Sequence, residues 1–131
     1  MTTTAKPWWR RWFGTRSERA AERFLRKLGY RILVRNFRCD FGELDLIVLD
    51  NQTIVFVEVR STAQADGSGP AASVDHAKQK RLTRLAVYFL KQKKLLDHAA
   101  RFDVLTLSWP EKQKEPTIEH FKNAFEAVGD A

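Results

Sequence analysis

Asp45, Glu58 and Arg60 are the residues of this chain whose types and spacing best suit chemistry. They lie in two short runs rich in branched apolar residues, Gly42-Glu43-Leu44-Asp45-Leu46-Ile47-Val48-Leu49 and Thr53-Ile54-Val55-Phe56-Val57-Glu58-Val59-Arg60. Both runs predict β-strands. The connector Asp50-Asn51-Gln52 is turn-like, so the pair predicts a hairpin. With Asn51-Gln52 as a two-residue turn, Asp45 falls directly opposite Glu58, and Glu43 opposite Arg60. Carboxylates facing each other across a ladder have Cβ atoms roughly 4.5–5.5 Å apart and repel. Each also interrupts an apolar strand, Asp45 on the face of Ile47 and Glu58 on the face of Phe56. A buried charge needs a partner, and a divalent metal is the natural candidate here.

The elements that would position these residues follow from pattern. A helix is predicted from Arg16 to Leu28, with Ala21, Phe24, Leu25 and Leu28 as its buried stripe and Gly29 as its stop. Tyr30 to Phe37 reads as a strand, and the hairpin comes next. The segment from Ser61 to Ala72, with Gly67-Ser68-Gly69-Pro70 at its centre, reads as a flexible loop. Ser73 is the expected cap of a long helix to about Lys93, whose apolar positions Val74, Ala77, Leu82, Leu85, Ala86 and Phe89 follow helical spacing. Arg101 to Trp109 is another alternating strand. Beyond Pro116 a short strand near Ile118 and a helical turn over Phe121 to Phe125 are expected. The order α-β-β-β-α-β predicts an α/β fold with a mixed central β-sheet flanked by helices. Residues 1–13 form an aromatic and basic N-terminal tail, and 14–131 a single domain.

Composition narrows the partners. At 131 residues, 44% hydrophobic and 30% charged, the chain has room for one domain with a real core. No apolar run approaches the ~20 residues of a membrane span. Cys39 is the single cysteine and the first residues lack the apolar stretch of a signal peptide, so a cytoplasmic location is expected. His76, His98 and His120 lack the spacing and cysteine partners of a zinc site. The net charge of +7 favours a polyanionic partner, although charge runs also form plain solvated faces. Arg31, Arg35 and Arg38 precede the hairpin, Arg60 closes it, and Lys78, Lys80, Arg81 and Arg84 follow. An acidic pair inside a basic surround suits an enzyme that binds both a metal cation and a phosphate.

Several motifs in order carry a resemblance: Gly29-Tyr30, Arg35-Asn36-Phe37, Gly42-Glu43-Leu44-Asp45-Leu46-Ile47, Phe56-Val57-Glu58-Val59-Arg60, Ser73-Val74 with Lys78 and Arg81-Leu82, and Arg101-Phe102-Asp103-Val104. Together, over roughly residues 14–127, they resemble the YraN family of small bacterial proteins. That family looks like the PD-(D/E)XK nucleases, nearest to archaeal Holliday-junction resolvases. The resemblance implies a restriction-endonuclease-like domain and metal-dependent hydrolysis of phosphodiester bonds in DNA, branched DNA included. It implies Mg²⁺ or Mn²⁺, held by Asp45, Glu58 and the backbone carbonyl of Val59 and suited to such hard oxygen ligands. Glu18 matches the helix-borne Glu of the resolvase branch. Lys78 would contact phosphate, with Arg81, Arg35 and Arg38 as further nucleic-acid contacts. Resolvase-like enzymes cut two strands, so a homodimer is also implied.

Arg60 departs from the PD-(D/E)XK pattern, which has lysine there. Arginine stays protonated and cannot serve as a base, but its planar fork can clamp a phosphate or orient a water. Plainer roles stand beside these. Glu18, three residues after Thr15, would complete a capping box, and Arg60 would be a cross-strand partner of Glu43. The tail's Trp8, Trp9, Trp12 and Phe13, beside Lys6, Arg10 and Arg11, suit a packing or dimer contact, base stacking or a membrane interface. A nuclease, a non-catalytic nucleic-acid-binding module and a partner-binding protein anchored by that tail are the three readings the sequence supports.

Overall fold

Asn51 adopts a left-handed backbone conformation, φ 56°, which closes a two-residue turn and folds strand β2 (Gly42–Asp50) back against strand β3 (Thr53–Thr62). The register, from Asp50↔Thr53 to Leu46↔Val57, is the expected one. The computed structural model describes residues 16–62, 74–109 and 114–129. The aromatic tail, Thr15, most of the glycine-rich loop and the expected cap Ser73 lie outside the described residues.

The remaining elements are α1 (Arg16–Lys27), β1 (Arg31–Cys39), α2 (His76–Gln92), β4 (Ala100–Ser108) and β5 (Thr117–Phe125). The five strands form one sheet in the order β1-β2-β3-β4-β5. Its first three strands are antiparallel, β3 and β4 are parallel, and β5 returns antiparallel. The parallel step needs a crossover, which α2 supplies. The mixed α/β sheet is therefore as expected, with one more full strand than the pattern predicted.

The helices cover opposite faces. Ala20, Ala21 and Leu25 of α1 pack with Leu46, Val48, Val55, Val57, Leu105 and Leu107. Leu82, Leu85, Ala86 and Phe89 of α2 pack with Leu44, Ile47, Ile54, Phe56 and Val104. Covered on both sides, β3 is buried at every position from Ile54 to Glu58, as a central strand beside a parallel neighbour should be.

Three boundaries differ from expectation. The helix α1 ends in a Schellman motif, with Gly29 at φ 93° and Tyr30 N–H donating to the Leu25 carbonyl at 3.1 Å. Leu28 falls beyond its last turn, 50% exposed rather than in the stripe. Asp75 caps α2, its carboxylate accepting from Lys78 N–H at 2.8 Å, and Ala77 faces out. The expected helical turn over Phe121 to Phe125 is strand. Asn123 there is left-handed, φ 52°, and the β4–β5 register shifts nearby. That slip resets the alternation, so Phe121, Ala124 and Phe125 all reach the α2-side core at a spacing that mimics a helix.

Candidate functional site

The β2–β3 ladder stops one pair short of Asp45 and Glu58. Beyond it the carboxylate of Asp45 accepts the Val59 N–H at 2.8 Å, taking the place of a backbone partner. The reason lies across the neighbouring ladder. Arg35↔Leu46 and Phe37↔Leu44 are paired, which sets Asn36 against Asp45, and Asn36 is left-handed at φ 53°. The alternation resets on both strands. Leu44 and Ile47 therefore join the α2-side core while Leu46 joins the α1 side. Asp45 sits at the reset, so it does not simply share the face of Ile47 as strict alternation predicts.

Burial raises the Asp45 carboxyl to about 7 from an ordinary 3.8. The Val59 N–H opposes that rise, and the negative charges of Glu58, Glu18 and Glu43 add to it. Glu58 is buried, 7% exposed, on the face of Phe56 as expected. Its Oε2 meets Lys78 Nζ, from the first turn of α2, at 2.5 Å. An extended residue directs its N–H and C=O to the same side, so the Val59 carbonyl also points towards β2. Two strands and two helices thus bring Asp45, Glu58, Val59, Lys78 and Glu18 to one end of the sheet. Arg60 lies half-buried at the same end of β3, beside Thr106 of β4.

The expected nucleic-acid contacts divide. Arg81 is exposed on α2. Arg35 is gripped by both carboxylate oxygens of Glu22, at 2.7 and 2.8 Å, and this hydrogen bonding lowers the Glu22 pKa. Arg38 meets Glu43 at 3.2 Å, the residue expected to face Arg60. Arg35 and Arg38 are thus already committed within the fold.

Two features escape a reading of the sequence. The Asn36 Oδ1 atom is buried with no hydrogen-bond partner, on the strand directly beside Asp45. A second polar cluster lies on the α1 side of the sheet. Asp103, 1% exposed, accepts from Arg101 Nε at 2.9 Å and from Asn123 N–H at 2.9 Å, and meets His120 Nε2 at 2.7 Å. Burial opposes the Asp103 charge, but His120 and Arg101 outweigh it and hold its pKa low. Arg101 also reaches Asp50 at 3.0 Å and the Tyr30 hydroxyl at 3.1 Å. The available signal was the Arg101-x-Asp103 spacing, which puts opposite charges on one face of an otherwise apolar strand. Its members satisfy one another, which marks this cluster as structural.

Among the described residues no three His, Cys, Asp or Glu side chains gather as a metal-binding group. No helix among them is long and apolar enough to cross a membrane. The profile of the uncharacterised protein family UPF0102 matches residues 17–107. A UPF0102 protein of Rhodopirellula baltica is 43% identical over 119 residues, covering 88% of this chain and 71% of its own length. One from Geotalea daltonii is 42% identical over 113 residues, covering 86% and 88%. One from Pseudomonas putida is 44% identical over 114 residues, covering 86% and 92%. Among solved structures, Pyrococcus furiosus SfsA in complex with Ca²⁺ aligns with a TM-score of 0.36 and 18% identity, over 79% of this chain and 58% of that one.

Proposed function

We propose, from the premise that the chain belongs to the uncharacterised protein family UPF0102, that it is a metal-dependent nuclease acting on DNA, branched DNA included. The observation that carries the proposal is the end of the β2–β3 ladder, where Asp45 turns to the Val59 N–H beside the buried Glu58 and Lys78. The element order and strand directions also suit the restriction-endonuclease-like domain that the YraN resemblance implies.

The donor chemistry fits a hard divalent cation. Asp45, Glu58 and the Val59 carbonyl offer oxygen only, as Mg²⁺ or Mn²⁺ prefer. Burial first, and the neighbouring carboxylates after it, lift Asp45 towards neutrality, and a divalent charge would offset both. The chemistry such a cation supplies when bound is Lewis-acid activation of water and neutralisation of charge on the reacting phosphate. The chain's own groups do the rest. The Val59 N–H fixes the orientation of Asp45. Lys78 exchanges Glu58 for a phosphate oxygen, and Arg60 clamps phosphate as a permanent cation. Glu18, within electrostatic reach of Asp45, holds water from the α1 side.

The test is nicking of a four-way junction and a flap with Mg²⁺ or Mn²⁺. Asp45→Asn should abolish cutting while DNA binding is kept or strengthened, since it removes a ligand and a negative charge. Arg60→Lys should preserve or raise activity, and Arg60→Ala should lose it. Equal residual cutting by the wild type and Asp45→Asn would assign the activity to an impurity. The non-catalytic binding module, which the arginine at position 60 favours, would then be the better reading.

A further inference from the structure

The helix α2 carries Lys78, Lys80, Arg81, Arg84 and Lys91 and no acidic residue. Lys78 is committed to Glu58. By contrast, no carboxylate among the described residues pairs with Lys80, Arg81, Arg84 or Lys91, whereas Arg26, Arg35, Arg38 and Arg101 are each held by one. Lys80, Arg84 and Lys91 recur at helical spacing, so they line one stripe, about 16 Å long at 1.5 Å per residue.

That stripe lines an open groove of about 950 Å³. One wall is Phe41, from the β1–β2 turn. The turn is pinned against the helix at Gly42, where a Cβ would lie 3.1 Å from Leu85 Cδ1. The other wall is the segment 127–129, tied down by the Val128 N–H donating to Thr83 Oγ1 at 3.0 Å. The Arg84 guanidinium lies over the Phe41 ring, 4.1 Å from its centroid. A helix that reads duplex DNA protrudes into the major groove. Here the basic stripe is exposed but flanked on both sides, by Phe41 and by the segment 127–129, and a channel between two flanks suits one strand and not two.

We infer that this groove seats a single-stranded segment of nucleic acid, its phosphates along Lys80, Arg84 and Lys91 and a base against Phe41 and Arg84. Charged grooves with an aromatic platform bind single strands in this way. Lys78, two residues before Lys80, faces away from this stripe, so the groove is a surface separate from the carboxylates. The inference deepens the nuclease reading and takes from it only the class of partner.

The test measures anisotropy of a labelled oligothymidylate and of a labelled duplex of equal length, in EDTA, across a salt series. The variant is Lys80→Ala/Arg84→Ala/Lys91→Ala, and the control, equal in charge, is Arg23→Ala/Lys27→Ala/Lys122→Ala. The groove variant should lose about tenfold or more in single-strand affinity. Its salt slope should flatten by about 2, at ~0.7 for each phosphate the protein no longer neutralises. The control and duplex binding should change little. An equal loss in the control, an equal loss for duplex, or an unchanged slope would overturn the inference. Because EDTA removes any cleavage, this result is independent of the nicking test. Intact groove binding without metal-dependent cutting would reject the catalytic reading alone.

Discussion

Replacing Asp45 with Asn should change how stability depends on pH. In the folded chain the Asp45 carboxyl titrates near 7, against an ordinary 3.8. Between those values the unfolded chain has released the proton and the folded chain has kept it. The folded state binds more protons there, so its stability falls as pH rises. About three pH units at ~1.36 kcal/mol each give a penalty on the order of 4 kcal/mol, absent below about pH 4 and complete above about pH 7. Asn keeps an oxygen for the Val59 N–H and cannot ionise. Asp45→Asn should therefore match the wild type at pH 4 and exceed it at pH 8, by up to that amount. Urea unfolding in EDTA at each pH unit from 4 to 8 measures the difference, in which the other titrating groups largely cancel. Millimolar Mn²⁺ at pH 8 should recover stability for the wild type by mass action and much less for the variant. Parallel pH curves for the two proteins would refute the burial and charge argument.

Asp103→Ala should cost about 3–5 kcal/mol, because it leaves buried donors of Arg101 and His120 without their acceptor; Asp50→Ala, at the rim of the same cluster, should cost clearly less in the same urea titration. Asn36→Gly should be nearly neutral for folding, whereas Asn36→Ala should cost about 1–2 kcal/mol, the strain of a left-handed residue with a Cβ. Equal losses for Gly and Ala would show that the amide side chain matters there and the backbone does not.

The hairpin, the two helices and the chain order were legible because each rests on local rules. The apolar runs, the turn residues and Gly29 act within a few positions of themselves. The register from Asp50↔Thr53 to Leu46↔Val57 was legible from the turn, but the end of the ladder just before Asp45 and Glu58, which the turn would have paired directly, was not. What was not legible came from non-local contacts or from a single backbone angle. Asn36 and Asn123 each reset an alternation, and no periodicity rule anticipates a left-handed residue inside a strand. Lys78 was placed on the right helix, but its grip on Glu58 depends on how α2 crosses the sheet. Arg35 and Arg38 of β1 looked equivalent to the basic residues of α2 in sequence. Only the carboxylates of Glu22 and Glu43, brought up by folding, separate the two sets.

The parallel pairing of β3 with β4 has a consequence for how the chain is made. During synthesis β3 emerges well before its neighbour, with α2 in between. Until residues 100–108 have followed it, this strand, buried from Ile54 to Glu58 in the finished fold, is an open edge, and such edges template pairing with other chains. The late contacts of Arg101 with Asp50 and Tyr30 then clasp the end of β2 and the start of β1 to the newly arrived β4. A chain ended at residue 99 would keep the carboxylates, Lys78 and both helices, yet it should precipitate as nascent fragments do, because the strand that closes its edge would be missing.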